Sequence, residues 1–138
     1  MKSIALALLI LATMPARGQR PEDTSPDVVN PTPEVHASFR DLALETIDAY
    51  GEVEDSVTSR DSIFVPLEAD ARKSYNKLKR SITTQGERDL LHTVGEYVLQ
   101  IKACHIMRDI PGNDCGLMRA NRTKALRAAK DAVVMKNQ

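Results

Sequence analysis

The chain reads as all-α, a four-helix up-down bundle with one disulfide joining the third and fourth helices, and three observations predict this. The hydrophobic residues after residue 36 recur with a helical period, and no stretch alternates as a strand does. The connections between the periodic stretches are short, which favours antiparallel neighbours. The two cysteines, Cys104 and Cys115, fall at the end of the third helix and the start of the fourth.

Ahead of the bundle lie two segments of different character. Lys2 precedes the apolar run Ile4 to Ala12 and then Pro15-Ala16-Arg17-Gly18-Gln19, the layout of a secretory signal peptide cleaved after Gly18. Residues 1–18 are therefore expected to be removed, and the product to be periplasmic or secreted. No other run approaches the ~20 apolar residues a membrane-spanning helix needs. Residues 19–36 hold Pro21, Pro26, Pro31 and Pro33 among polar side chains and predict a disordered Pro-rich tail. Residues 37–138 are left as the helical bundle domain, a length that supports one core.

The first helix is expected from about Glu34 to Thr58. Phe39, Leu42, Ala43, Thr46, Tyr50, Val53 and Val57 share one face, and Asp41, Glu45, Asp48, Glu52 and Asp55 form a continuous acidic ridge on the other. A connector follows, with Ile63-Phe64-Val65 as an apolar plug and Pro66 suited to a first helical turn. The second helix, Leu67 to Ile82, should place Leu67, Ala71, Tyr75, Leu78 and Ile82 inward and Arg72, Lys73, Lys77, Lys79 and Arg80 outward.

Thr84 and Glu87 make a capping box that starts the third helix, which runs to about Arg108 and stops at Ile110-Pro111-Gly112. Leu90, Val94, Tyr97, Val98, Ile101 and Cys104 share a broad face while Leu99 and Ile106 point the other way, so this helix is expected to be central, covered on several sides. The fourth helix, Cys115 to about Met135, has an inner stripe of Met118, Arg122, Ala125, Ala129 and Ala132. Arg122 in that stripe needs a partner, and Glu54 at the inner margin of the first helix is suited to the role. In an exported chain the two cysteines predict a bridge that closes ten intervening residues, worth about 3 kcal/mol.

The formal net charge of zero conceals an asymmetry. Residues 19–70 carry 3 basic and 13 acidic residues, and residues 71–138 carry 14 basic and 6 acidic. A nucleic-acid binder presents a basic surface without an acidic half of equal size beside it, so no nucleic-acid partner is expected. No nucleophile motif, carboxylate pair or Gly-rich phosphate loop occurs, and no enzyme is expected.

Two features compete to carry function. His105 sits on the core-facing half of the third helix beside Cys104 and could ligate haem or a metal, with Met118 as a thioether partner. No ligand-spaced histidine motif accompanies it, and a core-edge histidine bonded to backbone or a hydroxyl is the plainer account; no cofactor and no metal site are predicted. The acidic ridge is the stronger feature, because five like charges on one helix face repel and gain nothing from i,i+4 pairing. Either the basic second helix neutralises them, or Asp41, Glu45, Asp48, Glu52 and Asp55 bind a cationic protein partner. The expectation is an exported helical interaction protein, such as an immunity protein, inhibitor or chaperone. A haem- or metal-binding bundle using His105 is one alternative, and a secreted effector or structural component of an envelope machine is another.

Overall fold

The computed structural model describes residues 29–136, which include four helices: α1 (Ala37–Glu54), α2 (Asp61–Arg80), α3 (Gln85–Ile106) and α4 (Gly116–Lys130). Among the described residues there is no strand, and the Cys104–Cys115 disulfide joins the end of α3 to the residue before α4. The predicted signal peptide and the first part of the predicted tail lie outside the described residues.

Phe39, Ala43, Thr46, Ile47, Tyr50 and Val53 bury one stripe of α1. That stripe meets all three other helices, so α1 is the central element. The sequence predicts α3 for this place. Its second apolar side is left open, with Leu99 63% and Ile106 75% exposed. Gly95 of α3 makes room for Tyr75 of α2: a Cβ there would lie 2.7 Å from the Tyr75 hydroxyl.

α2 begins at Asp61, six residues before the expected start, and absorbs both the apolar plug and Pro66. Proline near a helix start forfeits a single bond, here to the Ser62 carbonyl, a cost the flanking turns sustain. Starting the helix earlier also changes its inner stripe. Counting from Phe64, the inner stripe is Phe64, Glu68, Ala71 and Leu78, while Ile63, Val65 and Leu67 face outward. Ala71 and Leu78 face inward as the sequence predicts, with Tyr75 and Ile82 packed at the margin of the core; the difference lies at the first turns, where Phe64 and Glu68 take the inner place expected for Leu67.

α3 opens with the predicted capping box: Thr84 Oγ1 accepts from the Glu87 N–H at 3.0 Å, and Glu87 accepts from the Thr84 N–H at 3.2 Å. What precedes α1 is not a disordered tail over residues 30–36. Those residues form a strap laid on the first turn of α3. The Asn30 carbonyl accepts from Gln85 N–H at 2.7 Å, the Thr32 carbonyl accepts from Gly86 N–H at 3.0 Å, and the Glu34 carbonyl accepts from Thr84 Oγ1 at 2.7 Å. Backbone donors that a helix N-terminus leaves without partners are thus supplied with carbonyls from outside. Glycine at 86 is required because a Cβ would stand 2.0 Å from the Pro33 oxygen.

α4 ends at Lys130, short of the expected Met135, and the chain after it runs extended. Val35 N–H donates to the Val133 carbonyl at 2.8 Å and Met135 N–H donates to the Val35 carbonyl at 2.9 Å, with Val35 itself buried. The segments flanking the bundle therefore clasp each other. Met118, Ala125 and Ala129 face the core, and the two alanines let α4 settle closely on its neighbours.

Gly86→Ala should push the strap off α3 and lower stability by about 2–3 kcal/mol. Amide exchange at residues 30–36 should accelerate ahead of the helices; unchanged protection there would mean the strap tolerates the methyl. Cys115→Ser should lower stability by about 3 kcal/mol in urea titrations, and a loss under ~1 kcal/mol would show that packing alone orders the hairpin.

Candidate functional site

Asp41, Glu45, Asp48, Glu52 and Asp55 are all solvent-exposed on α1, along about 21 Å of helix. Among the described residues their one ion pair is Asp41 with Arg40 at 3.6 Å, and none reaches the basic residues of α2. The ridge is divided between two grooves. Asp41 and Glu45 border a groove of about 590 Å³ against α2, shared with Leu42, Lys77 and Thr83. Asp48, Glu52 and Asp55 border a second, of about 500 Å³, against α4, floored by Leu44, Ile47, Gly51 and Leu126.

Arg122 occupies the wall of that second groove and donates to Glu54 Oε2 at 3.2 Å, the partner assigned to it from sequence. Tyr97 donates to Glu54 Oε1 at 2.7 Å from inside the core. Burial first, and then the hydrogen bond to Glu54, push the Tyr97 hydroxyl far above its ordinary pKa. The carboxylate of Glu54 is therefore consumed by the fold and does not belong to the ridge.

His105 is 5% exposed, stacked on Phe64 with ring centroids 3.7 Å apart. Its Nδ1 is 2.8 Å from the Val57 carbonyl and its Nε2 is 2.7 Å from Asp61 Oδ1. The hydrogen bond from His105, with Arg108 beside it, holds the Asp61 carboxyl below its usual range. Both ring nitrogens face acceptors that end the α1–α2 connection, which leaves no nitrogen free to ligate haem or a metal with Met118. His105 pins the start of α2 to the end of α3.

Glu68 is the polar residue that sequence reasoning missed. It lies 5% exposed on the inner stripe of α2, bonded by the guanidinium of Arg72 and 3.6 Å from Lys102 Nζ on α3. Burial opposes its charge, but the hydrogen bond from Arg72 and the charge of Lys102 outweigh burial and lower its pKa. Beside it the buried Tyr50 hydroxyl makes no hydrogen bond, and burial, then the Glu68 charge, raise its pKa. The missing signal was helix phase: once Phe64 is inward, a position four residues on is inward too. Arg72, expected outward as part of a free basic face, is thereby committed to an internal carboxylate.

Glu87 is fully buried and accepts from five donors: His36 N–H at 2.7 Å, His36 Nδ1 at 2.8 Å, Thr83 N–H at 2.7 Å, Thr83 Oγ1 at 2.9 Å and Thr84 N–H at 3.2 Å. Burial alone would raise its pKa, and the backbone donors of His36 and Thr83, followed by their side chains, reverse that and lower it. A carboxyl whose folded pKa lies below its unfolded value, about 4.3, contributes stability that is complete above that value and is lost as pH falls through the folded pKa. Glu68 and Asp61 shift in the same direction. Urea midpoints should therefore drop on acidification, and Glu87→Gln should both lower the neutral-pH midpoint and flatten the acid fall. A variant as acid-sensitive as the parent would remove Glu87 from this account.

The chain matches no family model, no curated protein and no solved structure. What it does has to be argued from its own side chains.

Proposed function

We propose that this is an exported, non-enzymatic interaction protein, periplasmic or secreted, whose acidic face on α1 docks a cationic protein partner. An immunity protein, an inhibitor and a chaperone are roles of this form. One observation carries the reading: five carboxylates stand exposed along α1 and its C-cap, and among the described residues Asp41 alone of them forms an ion pair, with the adjacent Arg40. Arg72 and Lys102 serve Glu68, Arg122 serves Glu54, and Lys79 lies over the Tyr75 ring at 5.8 Å. Fold stability does not call for such a row, since like charges along a helix destabilise it by a few tenths of a kcal/mol per pair.

A face of this kind steers an oppositely charged partner and accelerates association, more so at low salt. Asp48→Lys combined with Glu52→Lys should leave the melting temperature unchanged or slightly raised. The same variant should retain little of the partner that the wild-type chain captures from the extracytoplasmic fraction of its own host, with the loss residing in the association rate. If the reversal instead lowers stability by about 1 kcal/mol and capture stays as salt-sensitive as before, the ridge is an internal counter-charge and not a docking face.

A further inference from the structure

We infer that the cationic partner of this face includes a second copy of the chain, the two copies joined α1–α4 face to α1–α4 face about a two-fold axis parallel to the helices. This rests on the reading of the ridge as a docking face. It adds the identity of an occupant.

α4 carries Arg119, Arg122, Lys124, Arg127 and Lys130 and no acidic residue, so its outer surface is as one-sidedly basic as that of α1 is acidic. Arg122 is taken by Glu54, and Lys124 leans to Glu96 at 3.9 Å. Arg119, Arg127 and Lys130 are exposed, with no ion pair among the described residues. α1 and α4 are neighbours, and the groove with Leu44, Ile47 and Leu126 on its floor runs along the seam between them. One face of the molecule therefore shows an acidic strip, an apolar furrow and a basic strip, side by side.

Symmetry selects one way for two such faces to meet. Rotation by a half-turn about an axis parallel to the helices exchanges the strips left for right while preserving height, so each acidic strip meets the other copy's basic strip. A two-fold perpendicular to the helices would set acid on acid. The first arrangement is isologous and closed, the commonest form of homo-oligomer.

The heights also agree. Glu54 meets Arg122 near one end of the helix pair and Val35 meets Val134 beyond the other, so α1 and α4 run antiparallel. Stepping from the Glu54–Arg122 contact, Lys130 stands level with Thr46 and Arg119 level with Val57. In the facing copy Lys130 thus arrives between Glu45 and Asp48, and Arg119 arrives beside Asp55. Without residues 1–18 the chain carries 17 basic and 19 acidic residues, a net charge of −2, so overall repulsion opposes the encounter only weakly.

Sedimentation of the purified protein at tens of micromolar and low ionic strength, against high salt, reads the association directly. The expected result is a dimer that salt dissociates. Asp48→Lys with Asp55→Lys, and separately Arg119→Glu with Lys130→Glu, should each weaken self-association by roughly tenfold or more with the helical circular dichroism intact. Mixing the two variants should restore a dimer, because a chain basic on both strips complements one acidic on both. A wild-type chain that stays monomeric at low salt, variants that still dimerise, or a mixture that stays monomeric would each overturn the inference. A monomeric wild type whose ridge variant also loses host-partner capture would sink the second copy and leave the docking reading standing. A wild-type dimer whose ridge variant captures host partner undiminished would do the reverse to the foreign partner.

Discussion

A buried carboxylate with no cation of fixed charge beside it is costly unless hydrogen bonds fill its lone pairs, and Glu87 meets that condition with donors from three residues in two stretches of chain. His36 comes from the strap, Thr83 from the α2–α3 connection, and Thr84 from the helix cap. Because one side chain satisfies all three, the entry to α1, the exit from α2 and the start of α3 are held in register together. The capping box is ordinarily a local device worth about 1 kcal/mol. Here the same glutamate reaches fifty-one residues back along the chain to His36, so a helix start doubles as a tertiary contact.

The other internal charges follow the same logic on a smaller scale. Glu68 and Glu54 accept from Lys102 of α3 and Arg122 of α4, and the exposed Asp61 is joined to His105 at the end of α3. Ionic and polar bridges therefore substitute for apolar contact between α2 and α3, while alanines do the work between α3 and α4. That division leaves α1, with its aromatic and aliphatic stripe, as the element on which every other helix rests.

Much of this was legible in the sequence, for stateable reasons. A 3.6-residue period, a capping box and two cysteines at facing helix ends are local signals, and α3, its start and the bridge followed from them. The Arg122–Glu54 pair was also readable, because a charge within an apolar stripe demands a counter-charge on the facing element. The misreadings are tertiary. Prolines at 31 and 33 forbid helix but say nothing about whether an extended segment finds a surface, and Gly86, a weak helix former, was the one hint that a backbone passes there. Pro66 marks a helix start in its commonest place, but the helix begins at Asp61, and the added turn brings Phe64 and Glu68 inward where the sequence reading places Leu67. His105 was legible as a core-edge histidine bonded to backbone, but not its particular acceptors, since the Val57 carbonyl and Asp61 lie more than forty residues away in sequence. Of the ridge, exposure was legible from periodicity; its division between two grooves depends on where α2 and α4 lie.

The clasp between Val35 and Val134 spans nearly the whole folded segment, and it sets an order of events. Contacts this distant along a chain form late, since closing so long a loop costs entropy that local helices do not repay until they are in place. A chain delivered amino end first holds Val35 beside the first turn of α1 with its seat unfilled until residues 133–135 arrive. The hairpin of α3 and α4 can form meanwhile, but the strap has only one of its two neighbours. Completion of the fold is thereby tied to the arrival of residues 133–135, and a polypeptide truncated before residue 133 lacks the piece that closes it.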